Sequence, residues 1–285
     1  MNGRWNFLVT VLFVLGAWSA VPASDSSAPS TGKWELVWSD EFNASALDPS
    51  KWVVETGGEG WGNHELEYYT ARPQNVTTRR GKLVITALRE KYTGSDQVSR
   101  EYTSARLKSQ GKFSQAYGRF EARIKIPYGQ GMWPAFWMLG DDIDTASWPN
   151  CGEIDVMENI GREPFLIHGS IHGTGYSGDV GIEAPYRLPG KKPFAHGFHL
   201  FAVEWEPAAV RFYVDKTLYV TRTPADLHPG WKWVFDHPFF LLLNLAVGGD
   251  WPGSPDASTV FPRTMLVDYV RVYRRAGSVP AETKP

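Results

Sequence analysis

Between Lys33 and Arg275 apolar residues recur at every second position or in short unbroken runs. Tyr117–Ile126 alternates, so a strand there sets Phe120, Ala122, Ile124 and Ile126 on one face. Met265–Tyr273 alternates in the same way, while Lys82–Leu88 and Phe239–Val247 read as buried strands. Three short runs, Phe201–Trp205, Val210–Val214 and Thr217–Thr221, are joined by brief turns, as in a meander. No long stretch carries a helical period, and 28 Gly with 20 Pro interrupt the chain too often for one. Many short strands without helices predict an all-β sandwich of two sheets.

The ends follow a different pattern. Arg4 precedes an uncharged apolar stretch, Phe7–Ala20, and the small residues Val21 and Ala23 suit cleavage after Ala23. Residues 1–23 therefore read as a signal peptide, and the apolar run is shorter than the ~20 residues a membrane span needs. The mature protein is expected to be secreted, extracellular or periplasmic in a Gram-negative host, with no membrane span. Residues 24–32 are a Ser/Pro/Gly-rich linker, 33–275 a single domain without repeats, and 276–285 a loose tail.

Composition narrows the partners. With 29 basic and 31 acidic residues in 285, the chain has no basic excess for a nucleic acid backbone. Hydrophobic residues at 42% are ample for a core. The 13 Trp, 12 Tyr and 15 Phe exceed what packing needs and suggest flat apolar platforms. A lone Cys151 excludes an internal disulfide, and its neighbours Glu153 and Asp155 disfavour a reactive thiolate.

The segment most informative about chemistry is Gly152-Glu-Ile-Asp-Val-Met-Glu158. In a strand, Glu153 and Asp155 share one face while Ile154 and Val156 enter the core. Strict alternation would drive Glu158 into that core, at great cost. One extra residue, a β-bulge, returns Glu158 to the face of Glu153 and Asp155. Calcium ligands usually converge from a loop, whereas a strand spreads its carboxylates at ~3.3 Å per residue. Glycoside hydrolysis needs two carboxyl groups, ~5–5.5 Å apart for retention, and two Glu leaning together on a concave, bulged strand meet that need.

These residues sit among others that together resemble glycoside hydrolase family 16, and within it the secreted endo-β-1,3-glucanases (laminarinases). The resemblance runs from Trp34 to Tyr273. It is carried by Trp38-Ser-Asp-Glu-Phe42, Trp61-Gly-Asn-His-Glu-Leu-Glu-Tyr-Tyr-Thr70, Gly131-Met-Trp-Pro-Ala-Phe-Trp-Met-Leu139, the carboxylate motif, His168-Gly-Ser-Ile-His172, Phe201-Ala-Val-Glu-Trp205, Asn244-Leu-Ala-Val-Gly-Gly-Asp-Trp251 and Val267-Asp-Tyr-Val-Arg-Val-Tyr273. It implies a β-jelly-roll with a concave cleft across one sheet and a retaining mechanism. By position, Glu153 would be the nucleophile, Glu158 the general acid/base and Asp155 the residue assisting Glu153.

The resemblance also assigns supporting roles. Asn63 and Arg106 match positions that bind sugar hydroxyls, and Trp133, Trp137 and Trp251 are candidate stacking platforms, as indole suits a pyranose face. His172 matches a position beside the carboxylates, where it would bond sugar or Asp155. His168 is as readily structural, and Trp205 is equally core or cleft floor. His168 and His172 are too far apart along a strand to share one zinc ion. Glu41, Gly81 and Asp268 match a structural calcium site of many members, though catalysis implies no cofactor. Asn43-Ala-Ser45 and Asn75-Val-Thr77 fit the glycosylation pattern.

The expected substrate is a β-1,3-glucan, cleaved internally by a monomer. Transglycosylation through the same glycosyl-enzyme is one alternative. A glucan-recognition protein without hydrolysis is another, but such relatives lack the catalytic carboxylates that this chain retains.

Overall fold

The computed structural model describes residues 32–190 and 192–277, so the signal peptide reading and most of the linker and tail lie outside the described residues. The chain first forms β1 (Trp34–Asp40), β2 (Val53–Glu55), β3 (Glu67–Tyr69), β4 (Val76–Thr78), β5 (Leu83–Thr93) and β6 (Ser99–Ser104). It continues through β7 (Arg106–Lys108), β8 (Gly118–Lys125), β9 (Met132–Gly140), a one-turn helix α1 (Ile143–Ala146), β10 (Glu153–Glu158), β11 (Leu166–His172) and β12 (Ile182–Arg187). The last strands are β13 (His199–Glu206), β14 (Ala209–Val214), β15 (Thr217–Arg222), β16 (Phe239–Val247) and β17 (Arg263–Arg275).

Two sheets result, as the alternation predicts. The larger has the order β15-β14-β13-β8-β17-β5-β6-β3, with β1 added on β17 and β4 on β5. The smaller has the order β12-β11-β10-β9-β16-β7-β2. Apart from the parallel β3–β6 pair, every pairing is antiparallel. The sheets face each other through β16 against β5 and β6, and β10 against β13. Phe120, Ala122, Ile124 and Ile126 all lie in the core, on the face the sequence assigned them.

β16 shows how burial on both faces positions the site. Phe239, Leu241, Leu243, Leu245 and Val247 belong to the main core. On the opposite face, Phe240 and Leu242 join Leu139 and Cys151 in a second cluster, with Trp137, Ile143 and Ala146 packed against it. That second cluster anchors the loop carrying α1 over one end of the small sheet. Cys151 is fully buried there, and burial followed by the Asp142 and Glu153 charges pushes its thiol up to about 11. It is a packing residue.

Three sequence readings resolve here. Trp205 is fully buried and donates its indole N–H to the Phe235 carbonyl, which makes it core and not cleft floor. Asn75 is also fully buried, and its amide bonds Thr70, Arg72, Thr103 and the Thr86 carbonyl. Its glycosylation motif therefore serves the fold, since a glycan has no path out of that pocket. Gly81, the third residue of the calcium reading, ends the turn into β5 with a positive φ of 66°.

Candidate active site

The bulge in β10 is visible in its register with both neighbours. Against β11, Asp155 pairs with Ser170 and Glu158 with His168, so three steps on β10 match two on β11. Against β9, Asp155 pairs with Trp137 and Met157 with Phe136, two steps against one. Val156 and Met157 both enter the core in consequence, while Glu153, Asp155 and Glu158 face outward together. A regular strand would turn Met157 outward and bury Glu158 beside Ile154 and Val156.

The outer face of the small sheet gathers most of the residues singled out in the sequence. The Trp133 indole donates to Glu158 Oε1 at 2.9 Å. His172 Nε2 lies 3.1 Å from Asp155 Oδ2, and Glu153, Asp155 and His172 each bring a ligating atom within 4.8 Å of one another. Trp137 donates to Asn244 Oδ1 at 2.7 Å. Trp251 packs edge-on against Trp133, with ring centroids 5.6 Å apart. Arg106 holds its guanidinium over both Trp137 and Trp61 and bonds Glu55 at 2.6 Å. Asn63 lies in the loop whose carbonyl accepts the Asp250 N–H, next to Trp251.

The electrostatics divide the three carboxyl groups. Burial, the Glu153 charge and a hydrogen bond with Glu153 hold the Asp155 carboxyl well above the usual carboxylate range. Burial and the Asp155 charge do the same for Glu158, against the opposing pull of His172. Burial and mutual repulsion thus push both Asp155 and Glu158 toward the protonated form. Glu153 hydrogen-bonds with Asp155 and accepts from the Trp148 indole at 2.5 Å.

Several partners escaped the sequence reading. Trp148, almost half exposed and five residues before Glu153, touches it only because the α1 loop folds back over the sheet. Gly181 packs over the His172 ring, where a Cβ would come within 2.2 Å of the imidazole and displace it. His168 is held by Glu183 at 2.5 Å and Glu163 at 3.1 Å, with its ring edge-on to Trp251. Burial lowers the His168 pKa, but the two carboxylates outweigh it and the net shift is upward. His168 is therefore a prop for Trp251.

The calcium residues lie on the other sheet. Glu41 forms a two-point pair with Arg271 at 2.9 Å, and Asp268 meets Lys82 at 3.1 Å and Arg123 at 2.7 Å. Hard cations need free oxygen ligands, and these carboxylates are already neutralised by three basic side chains. As arranged, the side chains do not fit a calcium ion.

Comparison with known proteins agrees with this geometry. The family model for glycosyl hydrolases family 16 matches residues 63–271. A beta-glucanase from Rhodothermus marinus is 45% identical over 286 residues, covering 96% of this chain and 95% of that protein. The glucan endo-1,3-beta-glucosidase A1 of Niallia circulans is 40% identical over 86% of this chain, which spans 39% of that longer protein. Among solved structures, the laminarinase catalytic domain from Thermotoga maritima superposes with a TM-score of 0.82 at 47% identity, covering 86% of this chain and 99% of that one.

Proposed function

The chain belongs to glycosyl hydrolases family 16, and from that premise we propose that it is a retaining endo-β-1,3-glucanase acting on laminarin-like glucans. The observation that carries the reading is the bulged row of three carboxyl groups, with no Lys or Arg partner among the described residues, on an aromatic-lined sheet face.

In the first step Glu153 attacks the anomeric carbon while Glu158 gives its proton to the departing glycosidic oxygen, leaving a glycosyl ester on Glu153. Asp155 keeps its proton directed at Glu153, and His172 holds Asp155 in place. In the second step Glu158, now ionised, takes a proton from water, and the hydroxide carbon–oxygen bond forms as the ester breaks. Two inversions give net retention. Trp133 and Trp137 would stack sugar rings on either side of the scissile bond. Secretion through the residue 1–23 signal is part of the same proposal, since a polymeric glucan lies outside the cell that degrades it.

The test is a panel of laminarin, mixed-linkage glucan, agarose and carrageenan, with products resolved over time and their anomeric form followed by NMR. Rapid release of β-configured oligosaccharides from laminarin is expected. Release of α-anomers, or preference for a sulfated polymer, overturns the reading. Adding an acceptor sugar separates hydrolysis from transfer.

A further inference from the structure

Beneath the cleft, a buried chain of hydrogen bonds has only one consistent direction. The Trp137 indole can only donate, so Asn244 presents Oδ1 to it at 2.7 Å. The other end of that amide, Nδ2, then donates to the Tyr69 hydroxyl at 3.2 Å. Tyr69, having accepted, donates its own proton to Glu65 Oε2 at 2.9 Å. Glu65 Oε1 lies 3.5 Å from the Asn63 amide. Tyr69 is fully buried, Glu65 and Asn244 nearly so.

The buried end of the chain is a second carboxyl pair. Glu67 has no exposure, its Oε2 accepts the Val247 N–H at 2.6 Å, and its Oε1 meets no protein donor. Burial and the Glu65 charge push the Glu67 carboxyl well above the usual carboxylate range, and Glu65 accepts the Tyr69 O–H. Because Glu67 also ties to Val247, the pair fixes the loop before β3 to the end of β16.

We propose that Tyr69 and Asn244 are positioning residues that fix the Trp137 indole and, through Glu65, the Asn63 side chain, so that the two engage one glucan chain as a unit. This rests on the glucanase reading above. Both spend their polar atoms within this chain, Tyr69 fully buried and Asn244 nearly so. Their effect is on the pose of a binding platform away from the reacting atoms, and it belongs in KM more than in kcat.

Two experiments test it. In the indole region of a 1H–15N spectrum, Trp137 is assigned by its loss in Trp137→Phe. Tyr69→Phe should shift that resonance and speed its solvent exchange about tenfold, the scale of one lost buried hydrogen bond. The Trp133 and Trp148 resonances should hold. Asn244→Leu, similar in shape and leaving the Tyr69–Glu65 bond intact, should act on Trp137 alike if Tyr69→Phe does not fold. In laminarin kinetics each variant should raise KM about tenfold with kcat within about twofold, and the Tyr69→Phe/Trp137→Phe double variant should be no worse than the poorer single one. An unmoved Trp137 resonance, a loss confined to kcat, or additive single effects would overturn the relay. The spectrum needs no substrate, so it decides the relay even if the wild type leaves laminarin intact, the result that would sink the glucanase reading itself.

Discussion

The outer faces of the two sheets use the same acidic residues under opposite electrostatics. On the large sheet, Asp268 lies between Lys82 and Arg123, Glu41 is clasped by Arg271, and Glu204 meets Arg119 and Arg275. On the small sheet, among the described residues, no Lys or Arg pairs with Glu153, Asp155 or Glu158. Their partners are indole N–H groups, an imidazole and each other's protons. Burial raises the Asp268 pKa, yet its bonds to Lys82 and Arg123 outweigh this and leave the carboxyl low. Asp155 and Glu158 go the other way. Pairing with Lys and Arg holds the acids of one face ionised, while burial and mutual repulsion push Asp155 and Glu158 on the other toward the protonated form.

The largest effect expected is at the nucleophile. Glu153→Gln should lower laminarin hydrolysis by at least about a thousandfold, with fold and glucan binding preserved, because the amide fills the same space but forms no ester. Retention of more than about a thousandth of the rate, with deamidation excluded, would reassign the nucleophile.

Deleting Met157 tests the bulge that sets the two faces apart. The shortened strand should still fold with a lowered melting temperature, and a general acid displaced by about an ångström should cost ~100-fold in rate. Outright unfolding of the deletion would show that the bulge is indispensable to the sheet.

Stability against pH should then separate the faces by sign. Asp155 is raised in the folded state, so between the ordinary carboxylate range and its folded value the unfolded chain ionises while the folded one keeps its proton. Stability therefore falls as pH rises through that window. Asp155→Asn removes the penalty and should gain about 2–4 °C at neutral pH, a ~1 kcal/mol effect, with the gain vanishing below about pH 4.

Asp268 behaves in reverse. With its pKa lowered, it contributes stability above the unfolded value that is lost as pH falls through the folded one. Asp268→Asn should therefore melt lower at neutral pH, by no more than ~1 kcal/mol for half-exposed pairs, and match the wild type in acid. Melts of both asparagine variants across pH settle this, and two curves of the same sign would dissolve the comparison. On activity the smallest effect is expected of Met157→Leu, which keeps bulge and volume and should leave the rate near that of the wild type, at a stability cost under ~1.5 kcal/mol. Damage equal to the deletion's would reveal a role for the sulfur.

The periodicity of two was legible wherever one face of a strand meets the core. That is why β8 and β17 fall where the alternation puts them, while β13 to β15 follow their short runs and turns and β16 its unbroken apolar run, with ends shifted by no more than a residue or two. The bulge was legible for an energetic reason, since Glu158 in register would have been a buried acid beside Ile154 and Val156. Trp148 was missed because its contact with Glu153 depends on a loop held by Cys151, Leu139 and Phe240, which no local pattern encodes. The calcium residues show the converse. Sequence position aligned Glu41 and Asp268, but neighbouring strands supplied Arg271, Lys82 and Arg123 to occupy them.

By itself, then, the sequence determined the strands, the sandwich, the face each carboxylate takes and the chemistry that such a row permits, because side-chain alternation and the cost of buried charge act over a few residues. Tertiary structure alone decided the upward shift of Asp155 and Glu158, the grip of Trp148 on Glu153, and the path from Glu65 through Tyr69 and Asn244 to Trp137. Each of these depends on desolvation and on hydrogen bonds between segments as far apart as Tyr69 and Asn244, which meet only once the sheets have closed.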